Sequence, residues 1–233
     1  PDEVVGRNTW MMWTAGNEAF WDRMAMRGYG LADLLKTIDS RGRATRREDA
    51  GLVNEPGFVA ATEPDEFGLW IDRPGPDARE ASDPAVYGRS TGVIGFRLFP
   101  NPAFDDRARE HWDAERFYED PGYYHDPELV RPYRVGMTCA LCHVGHHPVH
   151  PAADPDHPDW GNLSGTIGNH QWRNLGNFGR QVSGDNLLYH LLGSSRPGTV
   201  DTSIMATDGN NNPNIINAIV NINSGIVILI INI

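Results

Sequence analysis

Two cysteines and one lysine are all that 233 residues contain of either type. With thiols only at 139 and 142, a disulfide between them would staple very little. A lone Lys36 against nineteen arginines reads as genomic composition. No run of 18 apolar residues occurs, which argues against a transmembrane helix. Positive charge is also in deficit, and a formal net charge of −11 argues against nucleic acid and anionic membrane surfaces. It suits instead a partner with a basic docking face. GxSxG is missing, and Gly92 and Gly95 do not form GxGxxG before a helix, so neither a nucleophile elbow nor a phosphate loop is encoded. A charged leader with an apolar core is missing too, and Pro1-Asp-Glu-Val-Val reads as the start of a mature exported chain.

What is present is concentrated in one pentapeptide, Cys139-Ala140-Leu141-Cys142-His143. A CxxCH suits covalent attachment of one c-type haem. Each thiol adds to a haem vinyl group as a thioether, and the tethered imidazole becomes the proximal iron ligand. The spacing matters because one helical turn brings both sulfurs and the imidazole to one side of a macrocycle. Cys139 and Cys142 are therefore the candidate attachment residues and His143 the candidate metal ligand. Three other readings use the same residues. A thioredoxin-like pair wants a surrounding βαβ pattern, and Arg131 to Thr138 shows no buried parallel strand. A zinc site wants four ligands, which His146, His147, His150 or His157 would complete. The third is a simple disulfide. Haem is the favoured reading. Because such attachment happens outside the bacterial cytoplasm, it implies a periplasmic or extracellular protein.

Along the chain, Asn8 or Thr9 caps an expected helix to about Arg27, with Trp10, Trp13, Phe20, Trp21 and Met24 at helical spacing. A second helix is expected over Leu31 to Asp39, and Arg41 to Arg47 reads as a solvated basic loop. Gly and Pro crowd residues 51–103, a long irregular insertion with short strands such as Thr91 to Phe99. Asp105 to Glu119 reads as one helix with Phe104, Ala108, Trp112 and Phe117 inward. Asp126-Pro127 carries the signature of a helix start. Prolines 148, 151, 155 and 158 forbid regular structure after the pentapeptide. A last helix is expected from Ser183 through Leu187, Leu188, Leu191 and Leu192 to Gly193. From Gly209 to Ile233, Asn and Ile supply seventeen of twenty-five residues without a charge. The expected organisation is one haem domain over 1–220 and an apolar tail over 221–233, either a truncated end or a contact within a larger complex. The expected fold class is mainly α and loop-rich, with short helices around a haem and little β-structure.

Candidates for the sixth ligand are His170, His190, Met205, Met137 and the histidines after the motif. Met11, Met12, Met24 and Met26 are further thioethers. Arg131, Arg134 and Arg173 are candidate propionate partners, since guanidinium pairs well with carboxylate. His146 and His147 lie too close to His143 to cross the macrocycle and read as loop residues at a propionate. Asp154, Asp156 and Asp159 form a weak calcium candidate without EF-hand spacing.

The stretch Tyr133-Arg-Val-Gly-Met-Thr-Cys-Ala-Leu-Cys-His-Val-Gly145 resembles exported bacterial c-type cytochromes. Pro151-Ala-Ala-Asp-Pro, Trp160-Gly-Asn-Leu-Ser and Ala206-Thr-Asp-Gly-Asn-Asn-Asn-Pro213 are similar to segments of the di-haem group that includes rubber oxygenases and cytochrome c peroxidases. The resemblance implies haem c on Cys139, Cys142 and His143. Members of that group typically carry a second CxxCH, which this chain lacks. The expected function is one-electron transfer. The alternatives are an oxygenase or peroxidase with an open distal site, and a haem-bearing subunit of a larger redox complex or filament.

Overall fold

A computed structural model describes residues 6, 9–27, 33–79, 83–165, 168–169, 171–173, 176–177, 184–185 and 187–194. Nine α-helices are named among them: α1 Glu18–Arg27, α2 Leu34–Thr37, α3 Arg46–Ala50, α4 Pro84–Tyr87, α5 Asp106–His111, α6 Ala114–Glu119, α7 Pro121–Tyr124, α8 Ala140–His143 and α9 Leu187–Gly193. Seven strands accompany them: β1 Phe58–Val59, β2 Arg73–Pro74, β3 Arg89–Ser90, β4 Phe96–Pro100, β5 Tyr133–Met137, β6 Gly145–His146 and β7 Leu163–Ser164.

The strands overturn the expectation of a mainly helical fold with little β-structure. They form three antiparallel sheets, β1-β2, β3-β4-β5 and β6-β7. Most of the helices are single turns, and the three-stranded sheet, not a helix bundle, carries the core. Phe96 pairs with Met137 and Pro100 with Tyr133, joining positions far apart in the chain. Leu98 and Val135 face each other across that ladder and are buried with Phe96, Leu34, Ile38, Leu52, Leu69 and Phe117. β-branched and aromatic side chains suit such a half-buried pleated surface. The Gly/Pro-rich stretch 51–103 holds β1 to β4 and supplies much of this core.

Local differences from expectation have definite causes. The first helix breaks, with helical residues at 9–12 and then a turn in which Ala15 and Gly16 take positive φ before α1. The turn frees Asn17, whose amide donates to the Met137 carbonyl at 2.7 Å while its oxygen accepts from the Met137 N–H at 2.9 Å. α1 is thereby clamped to the end of β5. The expected helix 105–119 is two helices, each capped by its own aspartate: Asp105 accepts from Ala108 N–H and Asp113 from Arg116 N–H. The Asp-Pro start signal operates at Asp120-Pro121 on α7, not at Asp126. The expected strand 91–99 is confined to β4, because Gly92 and Gly95 turn the chain at φ 75° and 87°. Ser183 and the tail 221–233 lie outside the described residues.

The supposedly solvated loop 41–47 is partly interior. Arg43 and Arg46 both pair with Asp72, and Arg43 also donates to the Phe58 carbonyl at 2.9 Å. Lys36 is buried as well, its ammonium 3.9 Å from the Tyr124 ring centroid and 5.0 Å from that of Phe117. Burial lowers its pKa from 10.5 to about 8, against the favourable charge of Asp33. Between those two values the unfolded chain binds more protons than the folded one, so this group makes stability rise with pH there. Below about pH 8 the folded chain buries a charged amine. Lys36→Met is therefore expected to stabilise at pH 7, with its advantage over wild type shrinking as pH rises towards 10.5. Urea unfolding of both proteins across that range checks this, and a gap that widens with pH refutes it.

Candidate functional site

Cys139 opens α8, and the turn is built by neighbours the pentapeptide does not contain. Thr138 accepts the Ala140 N–H on its hydroxyl at 3.3 Å and donates that hydroxyl to the Met11 carbonyl at 3.0 Å. His143 N–H reaches the Cys139 carbonyl at 3.1 Å, and Asn169 N–H caps the Cys142 carbonyl at 2.8 Å. The Thr138 N–H donates to the Gly95 carbonyl at 2.8 Å, which ties α8 to the turn before β4.

Gly95 approaches α8 more closely than any side chain permits. A Cβ at 95 would lie 2.3 Å from Leu141 N and 2.4 Å from its Cα, at φ +87°. Gly95→Ala is expected to cost at least about 1 kcal/mol from backbone strain alone, with the clash adding to it. Thermal unfolding reads the loss, and an unchanged midpoint would contradict the packing described. Gly145, just past α8, is held similarly by the Gly168 carbonyl, 2.3 Å from where its Cβ would stand.

The three candidate residues differ in environment. Cys139 is exposed; Cys142 is 5 % and His143 2 % exposed. Neither cysteine is in a disulfide. Burial raises the pKa of both, Cys142 to about 12, with the Cys139 charge adding to the effect. A thioredoxin-like pair needs the opposite, a thiol acidified by positive neighbours. Burial also lowers the His143 pKa, so its ring is neutral at pH 7, as an iron ligand must be. The Trp10 ring packs against it with centroids 6.0 Å apart. No hydrogen-bond partner meets its ring nitrogens among the described residues. Around α8, Val53, Ile94, Ala140 and Val144 form a buried apolar cluster, backed by Trp10, Met11, Trp160 and Leu163.

This donor set suits covalent haem in kind: two cysteines outside any disulfide and an imidazole without a hydrogen-bond partner among the described residues, within one turn beside a buried apolar cluster. It fits zinc or calcium poorly. Among the described residues no group of three or more His, Cys, Asp and Glu is disposed to hold a metal ion. Asp154 accepts from Asp156 N–H and from the His157 ring, Asp156 pairs with Arg47 at 2.9 Å, and Asp159 caps the turn Trp160–Asn162. His147 accepts the N–H groups of Val149 and His150 on Nδ1, both at 3.1 Å.

Other candidates are dispersed. Arg131 is fully interior and paired with Asp22 and Asp33, Arg134 reaches Asp22 at 3.5 Å, and the Arg173 side chain is exposed. His190 is exposed on α9, and Met137 packs against the main core. His170 and Met205 lie outside the described residues. Of the methionines, Met11 joins the cluster around α8. Thr138 was legible as a turn-capping hydroxyl; Gly95, Asn169 and Trp160 carried no local signal of their role. No helix among the described residues is long and apolar enough to cross a membrane. Comparison with protein-family models, curated proteins and solved structures finds no match to the chain.

Proposed function

We propose that this protein is an exported c-type cytochrome that carries single electrons. The observation that supports it is the CxxCH folded into one helical turn, with neither cysteine in a disulfide and the imidazole buried without a hydrogen-bond partner among the described residues. Cys139 and Cys142 would each add S–H across a vinyl group, the sulfur bonding one carbon and the proton going to the other. His143 would present its free ring nitrogen to the iron, oriented by Trp10. When bound, the haem supplies one-electron ferric–ferrous exchange. The apolar wall of Val53, Ile94, Ala140 and Val144 would exclude water from the ring, which favours the less charged ferrous state. An acidic surface of net charge −11 favours a basic redox partner.

Expression with a cytochrome c maturation system tests the reading. The pyridine haemochrome spectrum should show two thioethers and the intact mass should include one haem. The reduced protein should be six-coordinate, low-spin and indifferent to carbon monoxide. A chain exported without haem defeats the proposal. A high-spin ferrous form that binds carbon monoxide replaces the carrier with an oxygen- or peroxide-activating enzyme.

A further inference from the structure

Beside the apolar cluster around α8 lies a set of buried polar groups that the protein itself leaves unsatisfied. Both ring nitrogens of His146 are shut off from solvent without a hydrogen-bond partner, and so is the indole N–H of Trp160. An unpaired buried polar group costs about 1–3 kcal/mol, so several in one place call for an absent partner. The fold brings these two together: Trp160 packs on the cluster containing Ala140 and Val144, and Leu163 of the same cluster pairs with His146 across β6-β7. Asn54, interior and adjacent to Val53, has an unpartnered Oδ1 while its amide donates to the Asp156 carbonyl at 2.8 Å. That bond and the Arg47–Asp156 pair keep both the Arg47 guanidinium and its Asp156 counter-ion near His146, where both charges act on the ring.

An apolar cluster edged by an unpartnered indole N–H and an unpartnered imidazole, with the Asp156-paired Arg47 near by, is complementary to an apolar molecule with a carboxylate at its rim. We infer that His146 and Trp160, with Arg47 behind them, form a carboxylate-binding edge that anchors a haem propionate. The inference rests on the haem reading above and names the residues that would orient the ring. β6 begins two residues after α8, so His146 stands three residues beyond His143 and would reach the group that His143 holds from a neighbouring strand. Trp160 and an uncharged or protonated His146 donate to the carboxylate, and Asn54 Oδ1 accepts from a water in the same shell.

The test uses the matured holoprotein. His146→Ala and Trp160→Phe should each retain a normal two-thioether haemochrome, since neither touches the attachment residues. Each should lower the midpoint potential, because an uncompensated propionate charge favours ferric iron, and His146→Gln, which keeps an N–H donor, should restore most of it. Potentials unchanged in both variants overturn the inference while leaving the haem reading intact. A chain without covalent haem overturns both. Titrating acetate into wild-type holoprotein separates the sources of carboxylate: the His146 ring resonances should not respond, and a saturable response would mean that the edge takes free carboxylates instead.

Discussion

Asp72→Ala is expected to leave no stably folded protein. The Asp72 side chain is fully buried and receives hydrogen bonds from both Arg43 and Arg46, which are 8 % and 1 % exposed themselves. Its carboxylate is the shared counter-ion of two interior guanidinium groups, joining the loop after α2 to the segment before β2. Breaking a buried ion pair from one side typically costs about 3–5 kcal/mol, because the remaining charge is stranded away from water. Two stranded charges exceed that, against a total stability of about 5–15 kcal/mol for an ordinary domain. Asp72 also fills the space above Gly92, where an added Cβ would lie 2.3 Å from its own. Asp72→Asn keeps the volume and removes the charge, so it should also be severely destabilised. Circular dichroism with thermal unfolding reads both variants, and a cooperative transition near wild type in either would show that the carboxylate is not the counter-ion described.

The second large effect falls on the pentapeptide. Replacing both Cys139 and Cys142 with alanine should eliminate covalent haem, and each single change should leave one thioether and a shifted haemochrome band. Their environments separate the two singles. Cys142 is interior and Cys139 exposed, so a thioether at 142 is enclosed by the α8 cluster and one at 139 sits at its margin. Cys142→Ala should therefore cost the holoprotein more stability than Cys139→Ala. His143→Ala should abolish normal maturation or ligation. Haem that survives denaturing acid extraction from the double variant would show that these sulfurs are not the attachment points.

Part of the structure was legible because it is written in adjacent residues. The aspartate cap at 105 and the short turn carrying Cys142 and His143 follow from contacts within about four residues, whereas the cap at 113 lies inside what reads as one helix and the cap at 120 in what reads as loop. The fold class was misread because the strands are short and scattered. Tyr133–Met137 holds five residues with Gly136 among them, too brief for alternation to stand out from a helical pattern. The partners of two candidate arginines were hidden for a similar reason. Proximity in sequence pointed to Arg131 and Arg134, whereas their true partners, Asp22 and Asp33, lie about a hundred positions away.

Residue order alone set two thiols and an imidazole at a fixed spacing within five positions, on which the haem proposal rests. Tertiary structure alone decided that Gly95 packs against that turn, that the Trp10 ring lies 6.0 Å from the imidazole, and that His146 and Trp160 are left with unpartnered buried nitrogens. Those relations join residues from distant segments, among them β4 with β5 and β6 with β7, which pair antiparallel. Spacing encodes covalent reach along a chain; burial and charge compensation depend on which strands meet.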